Sequence, residues 1–240
     1  MTPEEFVLTE SKTTNRLPLT RIQRLIGGYM HTSKRTKASA YLTIRADLTE
    51  LMQMRKDYCR QVGVRVTTND FFICAIARAI GAFPKMASAL TPDRTSQQVS
   101  KTIGVGFAVA APQGLVVPVV QDVRHKSLPQ LAQDSERLLK KARSNKLLPD
   151  EFDGANIVLT GLGMYGIESF YAISPPSSLG IVSIGIIEDA VVPTEDGPAI
   201  RKMMYVSLAF DQCVADAFYA AKFLRYIVDA LENPRSLTRP

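Results

Sequence analysis

Tyr205-Val-Ser-Leu-Ala-Phe-Asp211-Gln212-Cys213-Val-Ala-Asp216-Ala217, running on into Phe218-Tyr-Ala-Ala-Lys-Phe-Leu-Arg-Tyr-Ile-Val-Asp-Ala-Leu231, is the stretch on which the reading of this chain turns. Val206, Leu208 and Phe210 alternate with their neighbours at the period of a strand, and after a polar break the apolar positions recur at helical spacing. Gln212 to Asp216 therefore fall at a strand-to-helix junction, where rigid elements hold side chains that stay accessible, a common address for active sites.

Outward from that junction, Thr194-Glu-Asp-Gly197-Pro198 reads as a hairpin turn joining the 203–210 strand to an apolar run over Ile181–Ile187. Further upstream, Ile103-Gly-Val-Gly-Phe-Ala-Val-Ala and Leu115-Val-Val-Pro-Val-Val are β-rich and are joined by the Pro112-Gln-Gly114 turn. Pro118 has no N–H to give a ladder and is expected at a strand edge or bulge. Helices are predicted over 19–35, over 47–62 behind an Asp47/Glu50 capping box and ended by Gly63, and over 71–83 capped from Thr68-Asn69-Asp70. A further helix over 128–144 opens at Ser127/Gln130, and a strand is predicted over 38–46. Periodicity alone fixes the class as α/β or α+β.

The 240 residues carry a net charge of +6, with 46% apolar and 22% charged side chains, an ordinary globular composition. Lys and Arg are scattered, and the basic face Lys140, Lys141, Arg143 reads as solvated, so nucleic acid is not the expected partner. Cys59, Cys74 and Cys213 are too far apart for a zinc site or a disulfide framework, and no metal is expected. Cys59 and Cys74, in helical patterns, read as buried thiols. No apolar run has the ~18 residues of a membrane span and no signal peptide is evident, which makes the cytoplasm the expected compartment. Residues 1–17 read as an N-terminal arm and 18–240 as one domain.

The motif Asp211-Gln212-Cys213-Val-Ala-Asp216-Ala217 resembles the Asp-His-Arg-x-x-Asp-Gly-Ala signature of the E2 acyltransferases of 2-oxo acid dehydrogenase complexes. Val66 to Ala75 resembles that family's Val-Asn-Asp-Phe-Ile-Ile-Lys-Ala, 109–120 its Ala-Val-x-x-Pro-x-Gly-Leu-x-x-Pro-Val, and 154–166 its Gly-Gly-Thr-Phe-Thr-Ile-Ser-Asn-Leu-Gly-Met-Phe-Gly. The matches run in order from about Leu19 to Leu231. The resemblance implies the chloramphenicol-acetyltransferase-like fold, a mixed sheet flanked by helices, assembled as a trimer with active sites between subunits.

It also implies roles. The family's general-base histidine falls on Gln212, its second motif aspartate on Asp216, and its oxyanion-binding hydroxyl on Thr160. A coenzyme A contact on the first helix falls on Gln23, flanked by Arg21 and Arg24, and Ser88 keeps the serine of the family's Pro-x-x-Asn-Ser. Lys37-Ala38-Ser39 stands where relatives have Ile-Pro-His. Coenzyme A or acyl-CoA is the implied cofactor, and a homotrimer, a larger E2-type core or a carrier protein the implied partners, with no lipoyl domain on this chain.

Gln212 cannot accept a proton, and three readings follow. The chain transfers acyl groups without the histidine, aided by an easily ionised thiol acceptor, Asp216, His31 or an acylated Cys213. Alternatively it is a silent structural subunit, or it binds a thioester-bearing partner without turnover.

Overall fold

The structure, a computed structural model, describes residues 17–112 and 114–239. The proposed arm, apart from Leu17, and the middle residue of the Pro112–Gly114 turn lie outside the described residues.

Helix α1 (Arg21–Thr36) is opened by a capping box in which the Thr20 hydroxyl accepts from the Gln23 amide at 3.1 Å and Gln23 Oε1 accepts from the Thr20 amide at 2.8 Å. Strand β1 (Ser39–Asp47) leads to helix α2 (Thr49–Val62), which stops at Gly63 in the left-handed conformation, φ 66°. The expected Asp47/Glu50 box is absent here. Asp47 Oδ1 instead accepts from the Thr49 amide at 2.9 Å, while Glu50 takes Arg235 Nε at 3.0 Å. Asp47 is still the last residue of β1, which leaves Leu48 in the cap position.

Helix α3 (Thr68–Ala82) begins three residues earlier than its apolar run, because Thr67 and Asp70 form the capping box. Short strands follow: β2 (Ser88–Leu90), β3 (Gln97–Val99), β4 (Gly104–Phe107), β5 (Val109–Ala111), β6 (Gly114–Val116) and β7 (Val119–Val120). Pro118 sits in the break between β6 and β7, where only its carbonyl is used, by the Phe107 amide at 3.0 Å. Helix α4 (Leu128–Arg143), strands β8 (Ala155–Gly161), β9 (Gly180–Ile184), β10 (Glu188–Thr194) and β11 (Gly197–Asp211), and helix α5 (Ala217–Glu232) complete the described core elements.

Among the described residues the main sheet has seven strands in the order β1-β11-β9-β8-β4-β7, with β10 paired to β11. β4, β8 and β9 run parallel, and β1, β11 and β7 run antiparallel to their neighbours, so the sheet is mixed. One face carries Ile157, Leu159, Val182, Ile184, Val206, Leu208 and Phe210 into the main core, packed with Phe71, Phe72 and Ile76 of α3 and Phe223 and Ile227 of α5. Among the described residues the opposite face carries a smaller cluster, Val158, Ile181 and Ala209, with Val117, Ala155 and Ala172 packed against it. That asymmetry leaves one side of the sheet available for other work. Cys74 is in the core, whereas Cys59 is only half-buried, its thiol taken up by the backbone of Val66.

Gly185 closes the turn after β9 against Glu168: a Cβ placed there would lie 1.7 Å from the Glu168 carbonyl oxygen. Gly185→Ala is expected to lower stability by at least about 2 kcal/mol, since backbone must move to admit the methyl group. Chemical denaturation measures it; an unchanged midpoint would contradict this packing.

Candidate active site

The terminal motif is built as its sequence pattern predicts, with β11 ending at Asp211 and α5 starting at Ala217. Asp211 is buried, and its Oδ1 accepts from the Ala38 amide at 3.2 Å and the Cys213 amide at 3.0 Å, which fixes the turn. The Gln212 amide donates to Ala38 O at 2.9 Å while its side chain is exposed. Asp216 is the N-cap of α5, accepting from the Tyr219 amide at 2.8 Å, so it holds the helix start and through it the loop. Cys213 is exposed and accepts from the Arg94 guanidinium at 3.2 Å, which also reaches Thr36 O at 3.2 Å.

Beside this loop, Lys37 inserts its ammonium among Ser174 Oγ at 2.9 Å, Pro175 O at 2.5 Å and Ser178 O. It thereby ties the Ser174–Ser178 loop to β1. Burial pulls the Lys37 pKa down to about 8, against the opposing pull of the Asp211 carboxylate. An unfolded lysine holds its proton to about 10.4, so between pH 8 and 10 the unfolded chain binds more protons and folding stability rises with pH. Denaturation midpoints of the natural chain relative to Lys37→Met are expected to climb across that window; a flat difference would mean the amine is ionised like any surface lysine.

Thr160 lies near the carboxyl end of β8, on the sparsely covered face. Its register partner is Ser183 on β9, which pairs with Ser207 on β11, which pairs with Thr43 on β1. Four adjacent strands thus place a hydroxyl in one row. Thr43 Oγ1 lies 2.9 Å from Ser207 Oγ and donates to the Tyr171 hydroxyl at 2.8 Å, and Ser183 Oγ accepts from the Ala172 amide at 3.3 Å. Sequence reasoning missed Ser183, Ser207, Thr43 and Tyr171, because a cross-strand row exists only once register is known.

Thr160 and Gln212 do not meet within one chain. Ile157, Gly180 and Phe210 share a row, and from it Thr160 is three residues toward one end of the sheet and Gln212 two residues toward the other. With two strand spacings between them, their backbones stand on the order of 19 Å apart at ~3.3 Å per residue and ~4.8 Å per strand.

The first-helix residues divide. Gln23 is engaged in the capping box, and Arg21 and Arg24 are exposed and form no ion pair with a described residue. Ile22, Leu25 and Tyr29 are 40%, 53% and 61% exposed, so the described residues leave the apolar stripe of α1 uncovered. Ser88 is buried and its hydroxyl donates to Lys85 O at 2.6 Å. The ribbon of β2 and β3 that carries it touches the motif through Gln97, which donates to Val214 O at 2.7 Å.

The sequence matches the family model for 2-oxoacid dehydrogenases acyltransferase (catalytic domain) over residues 11–239. The chain belongs to this acyltransferase family. The dihydrolipoyllysine-residue acetyltransferase component of the pyruvate dehydrogenase complex of Rickettsia felis is 30% identical over 236 residues, 97% of this chain and 55% of the relative. This acyltransferase-family chain therefore spans about half the length of the curated relatives it matches. The crystal structure of Azotobacter vinelandii dihydrolipoamide acetyltransferase superposes with a TM-score of 0.89 at 29% identity, covering 100% of this chain and 99% of that one. A chloramphenicol acetyltransferase superposes with a TM-score of 0.51 at 13% identity over 85% and 94% of the two chains, a likeness of fold alone. The fold expected from the resemblance is thus the fold found. No helix among the described residues is long and apolar enough to cross a membrane.

Proposed function

We infer that the chain transfers acyl groups between a thioester, coenzyme A or carrier-bound, and a thiol or hydroxyl acceptor, at a site assembled between subunits and slowed by the loss of its general base. The separation of Thr160 from Gln212 is the observation that carries this reading: two groups ~19 Å apart in one chain serve one reaction only if a second copy brings them together. The stripe of α1 and the sheet face that the described residues leave open supply surface for such a copy, and a homotrimer is the assembly that resemblance to the family implies. The Azotobacter structure comes from work on a serine, a histidine and an asparagine in that enzyme's catalytic mechanism, and those residues lie 52 and then 4 positions apart. Thr160, Gln212 and Asp216 have the same two separations.

In that site a thiolate sulfur attacks the thioester carbonyl carbon, the carbonyl electrons move onto oxygen, and the Thr160 hydroxyl donates to the resulting oxyanion. Collapse expels the original thiolate. A histidine at 212 would remove the thiol proton, a contribution of ~10²–10⁴. Gln212 has no proton-accepting group in that range, so the reaction relies on the fraction of acceptor already ionised, which for a thiol of pKa ~8.5 is a few per cent at pH 7 and for an alcohol is negligible. Arg21 and Arg24, in the first turn of α1, are cations available to the phosphates of coenzyme A.

A second reading is a silent subunit that contributes to assembly, within a trimer or a larger core. It is favoured by Gln212 and by the commitment of Gln23 to the helix cap, both at positions the family uses for chemistry and cofactor. Acetyl-CoA turnover with dihydrolipoamide, measured on the natural chain and on Gln212→His, separates the two readings: measurable natural turnover supports the first, and activity only in the variant the second.

A further inference from the structure

A cavity of about 770 Å³ opens on the helix-covered side of the sheet, between α3, α4 and the carboxyl ends of β4, β8 and β9. It is on the opposite face from the Thr160 hydroxyl. Its position has a topological cause. β4 and β8 are parallel neighbours, yet the chain leaving β4 turns toward β7 on one side and the chain leaving β8 turns toward β9 on the other. The two connections, one through the β5–β6 ribbon and one through the 162–179 loop, part on either side and leave a crevice outside the strand ends.

The floor is apolar, formed by Ile73, Phe107, Leu139, Ile184 and Met204. The rim is cationic: Arg65, Lys140 and Arg143 face a single exposed carboxylate, Glu136, which pairs with Lys140 at 2.9 Å. Arg143 forms no ion pair with a described residue. The one other acid in the wall, Asp70, is buried, and its oxygens are occupied by Thr67 and by Ser135 Oγ at 2.5 Å. The volume lies within the ~300–1,000 Å³ of small-molecule sites, and an apolar cleft with a few convergent charges is their usual chemistry.

We propose that this cavity binds an anionic amphiphile, a molecule with an apolar body on the Phe107–Leu139 floor and a carboxylate or phosphate head at Arg143 and Arg65. The site is separate from the acyl-transfer site and does not depend on turnover there. A head group at the rim gains charge-assisted hydrogen bonds that a neutral alcohol cannot match, worth about tenfold or more in affinity.

Isothermal titration of the chain in its natural assembly state with decanoate, decyl phosphate, decan-1-ol and decylammonium tests this. Both anions are expected to bind at least about tenfold tighter than the alcohol, with the ammonium weakest; binding of either anion supports the site, and the preference between them tells a free acid from a phosphorylated ligand. Arg143→Glu is expected to cost the anions about tenfold while leaving the alcohol unchanged. Leu139→Trp, which puts an indole into the floor, is expected to abolish binding without moving the elution volume on size exclusion. Equal affinity for carboxylate and ammonium, or indifference to both variants, overturns the proposal. So does the absence of anion binding to the natural chain; a changed assembly state in Leu139→Trp would then show that a second copy covers the cavity.

Discussion

A Gln212→His chain is expected to acetylate dihydrolipoamide from acetyl-CoA roughly 10²–10⁴-fold faster than the natural chain. The magnitude is that of one positioned general base. The position is ready to receive it: residue 212 is held by its backbone, through the amide bond to Ala38 O, and its side chain is exposed, so an imidazole replaces the carboxamide without repacking. Asp211 and Asp216, which fix the turn and the helix start, are untouched. The gained activity is expected to rise with pH through about 6.5, as the imidazole loses its proton and becomes able to accept one, whereas residual natural activity is expected to rise only as the acceptor thiol ionises near pH 8.5. No gain at any pH would mean that residue 212 does not reach the acceptor.

In that restored background, Thr160→Val is expected to lower kcat by about 10²–10³-fold with little change in KM, the loss that follows removal of one oxyanion donor. Valine keeps the branched shape that β8 holds, so the defect is one of chemistry and the denaturation midpoint is expected to move little. Thr160→Ser, which keeps the hydroxyl, is expected to retain most of the rate. A KM effect in place of a kcat effect would assign Thr160 to substrate binding instead.

The strand-to-helix junction at 211–217 was legible from the change of period, α2 from its Gly63 stop, α4 from its Ser127/Gln130 cap, and the hairpin at 194–197 from its turn residues. Where local chemistry competed, it was less so. Asp47 resembles a cap by spacing, but as the last residue of β1 it serves as a turn acceptor for Thr49. Gln23 falls by resemblance where a cofactor contact is expected, and only the geometry shows that its side chain closes the helix start. The hydroxyl row from Thr160 to Thr43 joins residues up to 164 positions apart in sequence, as with Thr43 and Ser207, so no local pattern announces it. Lys37 was visible as a departure from Ile-Pro-His, yet its grip on the Ser174–Ser178 loop depends on a contact that only the folded chain makes.

That the reacting groups belong to different chains is tested most directly by mixing. Chains carrying both Gln212→His and Thr160→Val have a base but no oxyanion donor; natural chains have the donor but no base. Refolded together, they form some interfaces in which a histidine of one chain faces a threonine of the other. The predicted result is acetyl transfer by the mixture well above the sum of the two pure preparations, rising with the fraction of mixed assemblies. Activity no greater than that sum, in assemblies shown to contain both chains, would contradict it.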